Sequence, residues 1–192
     1  MVEEQNIPEQ DQEQIQENTG PKWGRILAWG GLLGLLLLVG LGLIKAQKPI
    51  VEVGSPAPDF VLTTFDDQEI TSEDLKGKVV VLNFWASWCK PCEQEAADLE
   101  TAWQYYQPRG DVVFLGLAWT DTPTESAKYL DKFNISYPNG PDLGTRISQD
   151  FNRHMGVPET YIIDQDGVLH HIKIGPFMSL QEITAAIDPL LE

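Results

Sequence analysis

Residues 79 to 92 read Val79-Val80-Val81-Leu82-Asn83-Phe84-Trp85-Ala86-Ser87-Trp88-Cys89-Lys90-Pro91-Cys92. The first seven are almost continuously apolar, which suits a central strand buried on both faces of a sheet covered by helices. The two cysteines follow that strand directly and fall where a helix begins. Pro91 is tolerated there because a first helical turn has no intrahelical partner for its missing N–H. A cysteine at a helix N-terminus faces unpaired backbone N–H groups and the positive end of the helix dipole, and both favour thiolate over thiol. Lys90 adds a positive charge of the same effect. Cys92, one turn further in, is expected to be less exposed than Cys89 and placed to attack a mixed disulfide formed by Cys89. Two other uses of the pair stay open. A structural bridge enclosing two residues constrains the unfolded chain little, and zinc needs two more ligands, for which His154, His170 and His171 are the histidines at hand. Strand, spacing and helix together favour the redox use.

Outward from this stretch the pattern is mixed α/β. Ala96, Leu99, Trp103 and Tyr106 line one face of the helix that carries the cysteines. Residues 111 to 119 form a second buried strand. Thr122-Pro123-Thr124-Glu125 has capping-box spacing with proline at the first helical position, so a helix runs from there to about Phe133. A weaker helix is expected from Leu143 to Arg153. Tyr161-Ile162-Ile163 and the run from Val168 to Ile174 flank Asp164-Gln165-Asp166-Gly167, a hairpin signal. Ser179 to Glu182 is a second capping box, opening a terminal helix with Leu180, Ile183, Ile187 and Leu190 on one face.

The N-terminal part is of another kind. Residues 1 to 22 are rich in Gln and Glu with no aromatic residue, and are expected to be a disordered acidic tail. Residues 26 to 44 contain no charge, about the ~20 residues needed to cross ~30 Å of hydrocarbon, so 23–45 is expected to be a transmembrane anchor. Trp23 and Trp29 lie at one end, where interfacial aromatics belong. A buried core helix fits poorly with this length, and a cleaved signal peptide with so long a hydrophobic run and leader, although Ala46 loosely resembles a cleavage site. Orientation is not settled by charge, because Lys22 and Arg25 on one side face Lys45 and Lys48 on the other. Residues 51–192 then form the single folded domain, within the usual range for one core. The chain's net charge of -16 argues against nucleic acid as partner, and two cysteines exclude a disulfide-dense scaffold.

Asn83 to Cys92 with Glu95, the preceding Gly54-Ser55-Pro56-Ala57-Pro58-Asp59-Phe60 and the later Gly156-Val157-Pro158-Glu159-Thr160 resemble the membrane-anchored thioredoxin-like proteins of the TlpA/ResA type. The resemblance runs from about Val51 to the end of the chain and extends to the anchor. It implies a thioredoxin-like α/β fold, a central mixed sheet flanked by helices, on the outer side of the cytoplasmic membrane. The implied activity is reduction of protein disulfides, often those of apocytochrome c before haem attachment, with electrons supplied by a transmembrane donor. The dithiol is the only redox group expected; no metal and no further cofactor are.

Under this resemblance Cys89 attacks and Cys92 resolves. Val157-Pro158 matches the family's cis-proline beside the redox pair, and Trp88 a tryptophan on the rim of the substrate groove, whereas Trp85 belongs to the core. Ordinary thioredoxins carry a buried acid on the strand before the cysteines, and that position is Asn83 here, which cannot titrate. Glu95, three residues after Cys92, and Glu159, beside the proline, are therefore expected to share the proton acceptance that exchange requires. Ala97 stands where the family commonly has a helix-kinking proline. Two alternatives are a peroxiredoxin-like peroxidase and a copper-delivery protein of thioredoxin fold. The first expects Thr or Ser where this chain has Ala86, and the second expects three residues between the cysteines where this chain has Lys90-Pro91.

Overall fold

The computed structural model describes residues 22–46, 51–152 and 156–191. These fall into two units that divide between Gln47 and Lys48. The expected tail lies outside the described residues except for Lys22, as do His154 and the expected helix end at Arg153. The first unit is one helix, α1 (Lys22–Ala46), whose segment Trp23–Leu41 has a mean hydropathy of 1.9. At 1.5 Å per residue such a helix is long enough to cross ~30 Å of hydrocarbon, which makes it a candidate membrane span by length and composition.

The second unit runs β1 (Val61–Thr63), β2 (Glu69–Thr71), β3 (Val79–Trp85), α2 (Lys90–Tyr106), β4 (Val112–Ala118), α3 (Pro123–Phe133), β5 (Asn139–Pro141), α4 (Arg146–Asp150), β6 (Glu159–Ile163), β7 (Leu169–Ile174) and α5 (Leu180–Ile187). Five strands form one mixed sheet in the order β5-β4-β3-β6-β7. Strands β3, β4 and β5 are parallel, while β6 and β7 run antiparallel. The central position and complete burial of β3 follow from its apolar run, since a strand covered on both faces has no polar side to present. Its alternate residues feed two cores. Val79 and Val81 pack with Leu99, Ala102 and Tyr106 of α2 and Ile183 and Ile187 of α5. Val80, Leu82 and Phe84 pack on the other face with Phe60, Leu62, Phe151 and Tyr161. A smaller cluster forms where β3 and β4 end: Trp85 and Ala118 meet Cys89, Cys92, Ala96 and Tyr129.

Three local outcomes refine the sequence expectations. In the first, α3 begins where the capping signal puts it, with Thr122 Oγ1 accepting from Glu125 N. The return bond comes from Asp121, whose carboxylate accepts from Thr122 N at 2.8 Å, while Glu125 pairs with Lys128. Second, the helix expected from Leu143 is broken, because Gly144 and Thr145 have φ of 66° and 57°. A short 3-10 turn (Leu143–Thr145) therefore precedes the five-residue α4. Third, the hairpin of β6 and β7 carries a bulge: Ile162 pairs with His171 and Ile163 with Leu169, leaving His170 as the extra residue. Helix α2 runs uninterrupted through Ala97.

Gly116 on β4 marks a close approach. A Cβ placed there would lie 1.8 Å from Asn139 Oδ1, the atom that accepts from Trp85 Nε1 at 2.8 Å. Gly116→Ala is therefore expected to break the Trp85–Asn139 bond and lower stability by about 1–3 kcal/mol, as overpacking of a filled core does. Chemical denaturation followed by Trp fluorescence measures this, and an unchanged midpoint would contradict it.

Candidate active site

Cys89 is the N-cap of α2 and Cys92 lies in its first turn, joined to it by a disulfide. The Cys89 Sγ accepts from the Cys92 backbone N–H at 3.1 Å, so one of the otherwise unpaired amides of the helix start points at this sulfur. When the bridge is reduced, the same amide and the helix dipole favour the thiolate. Two sequence expectations are modified here. Cys89 is 3% exposed and Cys92 1%, so in the oxidised form both are closed off and the difference between them is slight. The Lys90 ammonium turns to Glu93, at 3.0 Å, and Lys132 also reaches Glu93, at 3.2 Å. These two lysines hold the Glu93 carboxyl below its usual range, and Lys90's charge is partly answered before it acts on Cys89.

Three residues beyond Cys92 on the same helix is a buried carboxyl. Glu95 is 1% exposed on α2; its Oε1 accepts from Asn83 Nδ2 at 2.9 Å and its Oε2 from Phe177 N at 2.8 Å. Burial pushes its pKa up from 4.5 to about 7, opposed by those two hydrogen bonds and by Lys173, and reinforced by Glu182. A group poised near neutrality changes its protonation readily at cellular pH. Asn83 is thus not a vacant replacement for a strand acid but a donor to the acid on the helix.

The Val157–Pro158 peptide is cis, and Val157 packs against both the large core and the cluster holding the two cysteines. Pro158 O accepts from Gly175 N at 3.0 Å, which joins the proline loop to the segment following β7. Glu159 is 0% exposed and pairs across the sheet with Phe84. Because side chains alternate along a strand, Glu159 and Phe84 face one side of the sheet, whereas Asn83, Thr160 and Glu95 meet on the other. The structure does not bring the two glutamates expected to share proton transfer together on one face.

Trp88 is 57% exposed and tilts against Trp119, with 6.1 Å between ring centroids. It borders an open cleft of about 470 Å³ with Ser87, Thr120, Asp121, Tyr129 and Lys132. Asp121 holds the loop before Cys89, its two oxygens accepting from Ser87 N at 2.6 Å and Ser87 Oγ at 2.9 Å. Trp85, by contrast, is core: its ring stacks on Tyr129 at 4.4 Å. Ala86 offers Cys89 N only its carbonyl, at 3.1 Å, so the hydroxyl that the peroxidase alternative requires is missing. Among the described residues no three His, Cys, Asp or Glu side chains converge as a metal site.

Sequence reasoning overlooked Asp121, Thr160 and the Phe177 amide. A lone amide inside an apolar strand is a signal that a buried partner exists, since buried polar groups are nearly always bonded; it does not say which. The Phe177 contact uses backbone and leaves no trace in residue type.

A dithiol at a helix N-terminus, closing a parallel strand of a mixed sheet and flanked by a cis-proline loop, defines a redox centre of the thioredoxin fold. The pattern of the AhpC/TSA family matches residues 53–172, and the chain belongs to that family. It is 33% identical over 138 residues to the thiol-disulfide oxidoreductase ResA of Bacillus cereus, covering 71% of this chain and 76% of that one. It is 34% identical over 166 residues to the thioredoxin-like protein YneN of Bacillus subtilis, covering 82% and 96%. A crystal structure of a thiol:disulfide interchange protein from Chlorobium tepidum superposes with a TM-score of 0.66 at 26% identity, covering 73% and 99%. The chain is a thiol-disulfide oxidoreductase.

Proposed function

We propose that the protein is a membrane-anchored disulfide reductase, held by α1, whose folded domain works outside the cytoplasmic membrane, with apocytochrome c as favoured substrate. The redox pair at the start of α2, with Glu95 buried three residues beyond Cys92, carries this reading. In the reduced state the Cys89 thiolate attacks one sulfur of a substrate disulfide, forming a mixed disulfide and releasing the other sulfur as a thiolate that takes up a proton. Cys92 gives its proton to Glu95 and attacks the Cys89 sulfur. The Cys89–Cys92 bond closes, the second substrate sulfur leaves, and two electrons have passed to the substrate. Trp88, Val157 and Pro158 border the approach of the substrate chain. The chemistry needs no metal or cofactor beyond the dithiol.

An outward-facing dithiol is oxidised by its surroundings, so sustained reduction requires a transmembrane donor. The apolar α1 and the resemblance to ResA support the location and the substrate. Equilibration of the pair against glutathione is expected to give a potential at or below about -220 mV, whereas a value near -120 mV would make it an oxidant. Trapping with Cys92→Ser in membranes is expected to capture apocytochrome c, and captured partners without it would refute that substrate.

A further inference from the structure

Asn83 is a solitary amide in the fully buried strand β3, and both N–H groups of its Nδ2 are used. One reaches Glu95 Oε1 and the other Thr160 Oγ1, each at 2.9 Å. Asn83, Glu95 and Thr160 are all buried. An amide does not ionise, so Asn83 donates at every pH, and it favours the Glu95 carboxylate over the acid because a bond to a charged acceptor is the stronger one. The other groups facing Glu95 leave it the decisive side chain. Lys173 on β7 and Glu182 on α5 act with opposite sign and are paired with each other. Tyr129 on α3 and Tyr137 before β5 also sense Glu95, but burial pushes both phenols up and keeps them neutral. The remaining donor, Phe177 N, is backbone.

We propose that Asn83 is the positioning residue for Glu95: it fixes the carboxyl one helical turn beyond Cys92, sets the pH at which it takes the Cys92 proton, and links it through Thr160 to β6, the strand that begins directly after Pro158. This rests on Glu95 acting as proton acceptor. Asn83 therefore tunes the acid on the helix from the strand, without itself touching sulfur or substrate.

The test uses the reduced full chain in detergent and follows the rate of cysteine alkylation by iodoacetamide against pH, with Glu95→Gln identifying the inflection that belongs to Glu95, near pH 7. Asn83→Ala is expected to move that inflection up by about one unit, a tenfold change in proton affinity, as loss of one hydrogen bond to a charged group does. Asn83→Asp matches the amide in size and places a second carboxyl against Glu95. It is expected to split the inflection into two, since two carboxyls in contact titrate as a pair. A purely structural role would lower stability and leave the inflection where it is. An inflection unmoved in Asn83→Asp, and in Asn83→Ala where that variant folds, overturns the proposal while Glu95 keeps its role. An inflection that survives Glu95→Gln overturns both.

Discussion

Serine in place of Cys89 is expected to reduce disulfide exchange to the uncatalysed background while leaving the fold intact. The two effects separate because position 89 is both nucleophile and N-cap. Its sulfur accepts from Cys92 N at 3.1 Å, and serine, among the preferred N-cap residues, supplies an oxygen for the same bond. What serine lacks is an accessible anion, since the thiolate is the attacking species in exchange. Reduction of a model protein disulfide by the dithiothreitol-recycled protein checks this, alongside thermal unfolding of the variant and the reduced wild type. Turnover retained by Cys89→Ser would remove Cys89 from the reaction, and a variant that fails to fold would show that its cap bond is not replaceable.

The second large effect is on stability and comes from Glu95. Its folded pKa of about 7 lies above the unfolded value of 4.5, so the folded protein holds the proton more tightly. Below pH 4.5 both states are protonated and nothing is lost. Between pH 4.5 and 7 the unfolded chain releases the proton first, and stability falls by about 1.4 kcal/mol per pH unit, reaching a loss of about 3 kcal/mol that persists above pH 7. Glu95→Gln has no such proton. Its stability relative to wild type is therefore expected to rise by about 3 kcal/mol between pH 4 and 8. Urea unfolding followed by Trp fluorescence at several pH values gives this difference directly. A difference that stays flat across the range would show that Glu95 is not displaced from its ordinary pKa.

These two predictions draw unequally on what residue type reveals. The central strand, the cysteine helix and the start of α3 were legible because each has a local cause: an apolar run, a cap, a proline at the first helical position. So was Cys89–Cys92, whose bond spans three positions on one helix turn. The environment of Glu95 was not. Its oxygens are held by residues 12 positions before and 82 after it, contacts that exist only once β3 and the segment following β7 have been brought to α2. The separation of Glu159 from Glu95 was likewise hidden, because it depends on the register in which β6 pairs with β3, and a shift of one residue would exchange the faces. The break at Gly144 and Thr145 had a glycine as its only advance sign.

The two rims of the sheet are protected by different means. At one side β5 is three residues long and ends in Pro141, and the loop after β1 closes on it through Phe65 N and Asn139 O at 2.8 Å. At the other, β7 bulges at His170 and carries Lys173. Short length, proline, bulges and lysine all prevent a strand edge from recruiting another strand. If α1 anchors the chain as proposed, neighbouring copies would meet at a local concentration far above that of the same domain in free solution. Guarded rims would let such a crowded layer stay a population of separate catalysts instead of fusing into continuous sheets.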